Sequence, residues 1–125
     1  MKNYREAEKY ATAAGDRGQI ASIIFHMGIS YMNDGKLDSA LKFIKNAQST
    51  FSDLKDPQLG RSMIYLGETY ERMGNFDLAI NTMLQGMLLL NETNDNVHRG
   101  LGYISLSRVY ESFPQNYCLS LQLID

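Results

Sequence analysis

The sequence predicts an all-α fold of consecutive antiparallel helix pairs, on three observations. It carries an internal repeat of about 40 residues, apolar side chains at helical spacing inside each repeat, and breaks at fixed positions between helices. Gly28 and Gly67 lie 39 residues apart, and Tyr31 and Tyr70, Gly35 and Gly74, and Ala40 and Ala79 share that separation. Leu66 and Leu106, and Tyr70 and Tyr110, continue the series at a separation of 40.

The elements follow in chain order. Tyr4 falls 40 residues before Ile44 and Ala7 falls 40 before Ala47, so residues 1–15 read as the second helix of an incomplete repeat. A full repeat spans 16–55. Its first helix carries Ile24, Met27, Gly28 and Tyr31 on one face, Asn33-Asp34-Gly35 makes the turn, and its second helix carries Leu37, Ala40, Leu41 and Ile44. The repeat at 56–94 has Met63, Leu66, Gly67 and Tyr70, then Gly74-Asn75, then Phe76, Ala79, Ile80, Met83 and Leu84. The unit at 95–125 is degenerate: Ser107 replaces the packing glycine and Pro114 the turn glycine. With one inserted residue, Tyr117, Ser120 and Ile124 take the places of Phe76, Ala79 and Met83. Seven helices are expected, the first and last unpaired or incomplete.

Asp16, Asp56 and Asp95 recur at separations of 40 and 39, where each can accept from the free amides of the next helix. Pro57 follows Asp56 at a first helical position, where no amide hydrogen is needed. Gly28 with Ala40, and Gly67 with Ala79, are small enough to let the two helices of one pair approach closely.

Composition narrows the function classes. The 125 residues suit one compact unit, and 44% hydrophobic with 21% charged residues is ordinary for a folded domain. Twelve basic against 14 acidic residues, with no like-charge block, oppose a nucleic-acid footprint. The longest apolar run, Met87 to Leu90, is far too short to cross a membrane, and Met1 to Tyr10 is polar rather than a secretion signal. Cys118 stands alone and forms no internal disulfide, which suits a reducing compartment such as the cytoplasm.

No catalytic constellation emerges. His26 and His98 lie in different pairs with no Cys or His at metal-ligand spacing. Cys118 has no basic neighbour to activate it. Glu68 and Glu71 beside Arg72 read as a solvated face rather than an acid–base pair, and neither a nucleophile elbow nor a phosphate-binding loop is present. The expectation is no enzyme, no metal and no cofactor. Met83 and Met87 read as adaptable core.

The pattern resembles the tetratricopeptide repeat family. Ile24, Met27-Gly28, Tyr31, Ala40 and Ile44 fill its slots in the first full unit, and Met63, Leu66-Gly67, Tyr70, Ala79 and Met83 in the second. The usual Trp is missing, and Ser52 and Asn91 stand where the family places a helix-ending Pro. The period exceeds the family's usual ~34 residues. It is similar to the long-period subgroup of signalling adaptors and bacterial regulators, in which Gly-Asp or a similar pair precedes each hairpin; Gly15-Asp16 and Lys55-Asp56 hold that place.

The resemblance implies a right-handed α-solenoid and a non-catalytic scaffold, part of a larger signalling or regulatory protein, that binds a protein or peptide. The first helix of each hairpin would line the groove. That face comprises Ser22, Phe25, Ile29, Met32 and Asn33; then Arg61, Ile64, Glu68, Glu71 and Arg72; then Leu101, Ile104, Arg108, Glu111 and Ser112. Phe25 and Ile29 stand where chaperone-binding members need polar groups, so an amphipathic segment fits better than a chaperone tail. Two readings of the apolar positions stay open, an exposed groove or burial between adjacent first helices.

Two alternatives accompany the scaffold: a spacer or dimerisation element, and a regulatory array for a catalytic domain elsewhere; the compartment expected is the cytoplasm, with the periplasmic part of a membrane sensor as the other location. Leu119, Leu121, Leu123 and Ile124 would leave an apolar end, so a piece of a longer array, self-associating through an end, is expected.

Overall fold

The computed structural model describes residues 16–93 and 95–112. The expected helix within 1–15 and the last half-unit with Pro114, Tyr117, Cys118, Ser120 and Ile124 lie outside the described residues. Within them the chain is all-helical: α1 (Arg17–Asn33), α2 (Leu37–Leu54), α3 (Gln58–Arg72), α4 (Phe76–Thr93) and α5 (Asn96–Ser112). No helix here is long and apolar enough to cross a membrane.

Asp16 caps α1 by accepting from the Gln19 amide at 3.0 Å. Asp56 accepts from Gln58 at 2.8 Å, one residue beyond Pro57, and Asp95 from His98 at 3.2 Å. The helix ends are equally uniform. The amides of Lys36, Asp56 and Asn75 return to the carbonyls of Tyr31, Phe51 and Tyr70 at 2.9 Å each, the reverse bond of a left-handed helix stop. Gly35 and Gly74 supply the positive φ at two of these stops, +80° and +87°. At the third the left-handed residue is Lys55, φ 52°, a conformation that disfavours any side chain.

Consecutive helices pair antiparallel. Phe25 meets Phe51 edge-on at 6.0 Å, while Tyr31, further along α1, meets Phe43, earlier on α2, at 5.1 Å. Likewise Gly60 faces Leu90, and Gly67 faces Met83 and Ala79. The small residues serve close approach, as their positions imply. A Cβ on Gly28 would fall 2.6 Å from Ile44 Cγ1, and one on Gly67 would fall 2.5 Å from Met83 Cγ.

Two buried clusters result. The first joins Phe25, Met32, Ile44, Ala47 and Phe51 to Leu66, Tyr70 and Ala79. The second joins Ile64, Ile80, Met83, Met87 and Leu90 to Leu106, Val109 and Tyr110. The hairpin α3–α4 therefore feeds both.

Candidate functional site

The face assigned to a groove turns out to carry the contact between successive first helices. Phe25 is 1% exposed and its ring meets Tyr65 of α3 at 5.5 Å, 73° between planes. Ser22 Oγ donates to Gln58 Oε1 at 3.2 Å. Met32 is 1% exposed; its sulfur lies 3.5 Å from Thr69 Oγ1, which donates to the Tyr65 carbonyl at 2.9 Å, and the Met32 carbonyl accepts from Arg72 Nη1 at 3.3 Å. Ile29 is half-buried against the first cluster. Asn33 and Arg72 remain exposed at the rim. Residue numbers rise together on the two helices, so α1 and α3 run parallel.

The next step repeats this with different chemistry. Ile64 is 5% exposed and shares the second cluster with Leu106, Val109 and Tyr110 of α5. Arg61 Nε lies 3.7 Å from Asp95 Oδ2, a charge contact beyond hydrogen-bond range. Arg108 reaches back from α5 to both glutamates. Its Nε and Nη2 each donate to Glu71 at 2.8 Å, and Nη2 also donates to Glu68 at 3.1 Å. The forked bond to Glu71, then the neighbouring charges, raise the Arg108 pKa above the ordinary guanidinium range, so it stays charged. Glu68 and Glu71 are thus an arginine cradle, not a solvated carboxylate pair.

Phe25, Met32 and Ile64 accordingly line no groove. Each is closed because the first helix of the following hairpin lies on it, and the burial of apolar area between those helices outweighs leaving the side chains in water. The sequence pattern alone could not separate the two cases, because helical spacing marks a face without saying what meets it.

The third copy of the face differs. Ile104 occupies the slot of Phe25 and Ile64 but is 62% exposed, and Leu101, in the slot of Ser22 and Arg61, is 44% exposed. Val97, one turn earlier, is 72% exposed. Together they form an apolar stripe along α5 with Arg108 and Glu111 at its C-terminal end. Val97 was missed because its counterparts Gly18 and Pro57 are not apolar side chains of a helix face.

Chemistry is sparse elsewhere. A shallow hollow lined by Ile64, Tyr65, Glu68, His98, Leu101 and Ser105 holds about 80 Å³, small beside the ~300 Å³ or more of a small-molecule site. His98 and Ser105 share this hollow, but two helical turns on α5 separate them by roughly 10 Å, too far for a nucleophile–base pair. The His98 ring instead bonds the Asp95 carboxylate at 2.9 Å. That bond, ahead of the His98 amide and the Arg61 charge, holds the Asp95 carboxyl below its usual range. His26 Nδ1 donates to the Ser22 carbonyl at 2.7 Å within α1. No group of three or more potential metal ligands gathers among the described residues. Comparison with protein-family models finds no match, and no curated protein matches the chain.

Proposed function

We propose that this chain is a non-catalytic protein-binding scaffold of the tetratricopeptide type, a solenoid of helix pairs serving a larger signalling or regulatory protein. The observation that carries the reading is the open third copy of a face that is closed in the first two. A stripe of Val97, Leu101 and Ile104 in water is a contact waiting for an apolar partner. The exposure of Val97, Leu101 and Ile104, beside the burial of Phe25, Met32 and Ile64, supports α5 as the binding surface in this reading.

Capture from the lysate of the source organism tests it, comparing wild type with a Leu101→Asp, Ile104→Asp double variant. Both positions are exposed, so circular dichroism should find both chains equally folded. A protein retained by wild type and lost by the variant supports the scaffold. Equal retention by the two chains, or none by either, removes it.

A second reading, a spacer without its own ligand, is favoured by the closure of Phe25, Met32 and Ile64. It expects no partner that depends on Leu101 and Ile104.

A further inference from the structure

We propose that the exposed face of α5 seats one partner helix, amphipathic and parallel to α5, that sets an aromatic or apolar side chain on Ile104 and an arginine against Glu111. The inference rests on the scaffold reading and adds the chemistry of the partner.

The argument is continuity of one interface. Position 25 receives Tyr65, and position 64 lies under α5, where a Cβ on Gly102 would stand 3.2 Å from Ile64 Cδ1. At both steps the incoming helix runs parallel to the one it covers. At both steps an arginine of the incoming helix closes the C-terminal end: Arg72 bonds the Met32 carbonyl, and Arg108 forks onto Glu71. Glu111 stands in the slot of Met32 and Glu71 and is exposed. The third face thus repeats the apolar anchor and the acceptor of the second, in the same order along the helix. Tyr103, also exposed, is left out because its counterpart Met63 packs within its own hairpin, with its Cβ 3.1 Å from the Cβ position of Gly86.

A second copy of this chain fits the face poorly. The stripe offers apolar area on the order of 200–300 Å², against about 800 Å² per partner in a standard interface. A two-fold pair with antiparallel α5 helices brings Glu111 toward Asp95, and a parallel pair sets Glu111 on Glu111 and Arg108 on Arg108. Head-to-tail stacking would present His26, Ile29 and Asn33 of α1, which offer neither arginine nor lysine to Glu111. One helix, laid along a stripe one helix wide, matches the area and the charge.

The probe is a labelled peptide of residues 56–75, whose Tyr65 and Arg72 already play these two parts against α1. Fluorescence anisotropy with the full chain should show saturable binding. Ile104→Asp should weaken it at least tenfold. Glu111→Lys should weaken it at least threefold, and a peptide carrying Arg72→Glu should recover that loss. Sedimentation and circular dichroism accompany each variant, and Glu111→Lys decides the matter should Ile104→Asp fail to fold. Absence of saturable binding, or binding indifferent to both substitutions, overturns the proposal. A dimer of the full chain abolished by Ile104→Asp would give the face to a second copy. A tenfold gain in peptide affinity on replacing Leu119, Leu121 and Leu123 together by Asp would give it to residues 113–125. If lysate capture depends on Ile104 while the peptide is ignored, the scaffold reading stands and the helical partner does not.

Discussion

Replacing Gly67 by Ala sets two known effects against each other, and the structure decides their sign. In an exposed helix interior the change is favourable by about 1 kcal/mol, because glycine loses more backbone freedom on folding. At Gly67 the new methyl would lie 2.5 Å from Met83 Cγ and 3.1 Å from the Ala79 carbonyl oxygen. Ordinary carbon contacts begin near ~3.5 Å, so the overlap with Met83 is about 1 Å. Met83 is fully buried, and the Ala79 oxygen belongs to the α4 backbone, so relief requires the two helices to part. Overpacking of this kind costs about 1–3 kcal/mol, and with a fully buried side chain and a backbone oxygen both in the way the upper part of that range, about 2–3 kcal/mol, applies. The expected net loss is about 1–2 kcal/mol. For a chain of this size that corresponds to a fall in Tm of about 4–8 °C. Gly100→Ala is the internal reference: nothing lies within 4 Å of its Cβ position, so the propensity gain should appear unopposed. Urea and thermal unfolding followed by circular dichroism measure both. Gly67→Ala as stable as wild type, beside a stabilised Gly100→Ala, would refute the claim that close approach of α3 and α4 makes glycine necessary there.

Three further outcomes follow from the same geometry. Lys55→Gly removes a side chain from a left-handed helix stop and should stabilise the chain by about 1 kcal/mol in urea titrations. Asp95→Asn keeps a capping acceptor while removing the charge that faces His98 and Arg61. Because the folded Asp95 pKa is depressed, its contribution is present above the unfolded value near ~4 and lost as pH falls through the folded value. The stability gap between wild type and Asp95→Asn should therefore be about 1 kcal/mol near neutral pH and close under acid. A double-mutant cycle between Arg108 and Glu71 should return a coupling of about 1 kcal/mol, shrinking in high salt because Arg108 is half exposed; zero coupling at low salt would mean the fork contributes nothing.

Helix pairing was legible in the sequence because it depends on local chemistry. The aspartates at 16, 56 and 95, the turn glycines at 35 and 74, and the glycines under Ile44 and Met83 each act within a few residues or across one hairpin. What was not legible is which face meets the next hairpin. Phe25 and Ile64 look like binding anchors by type and spacing, yet Tyr65 and α5 lie on them. The same residue type in the same slot, Ile104, is open. Burial there depends on what comes some 40 residues later, and no property of the residue itself reports it. The Arg108 fork was hidden for the same reason, since its partners Glu68 and Glu71 read as neighbours of Arg72.

The hairpin α3–α4 gives Leu66, Tyr70 and Ala79 to one cluster and Ile64, Ile80 and Met83 to the other. Neither cluster can open without stripping a side of the hairpin on which the other leans. Loss of either end of the chain should consequently be felt at the far end as a drop in cooperativity. The amides of α3 and α4 should be the last to exchange with solvent, because their release needs both halves to come apart at once.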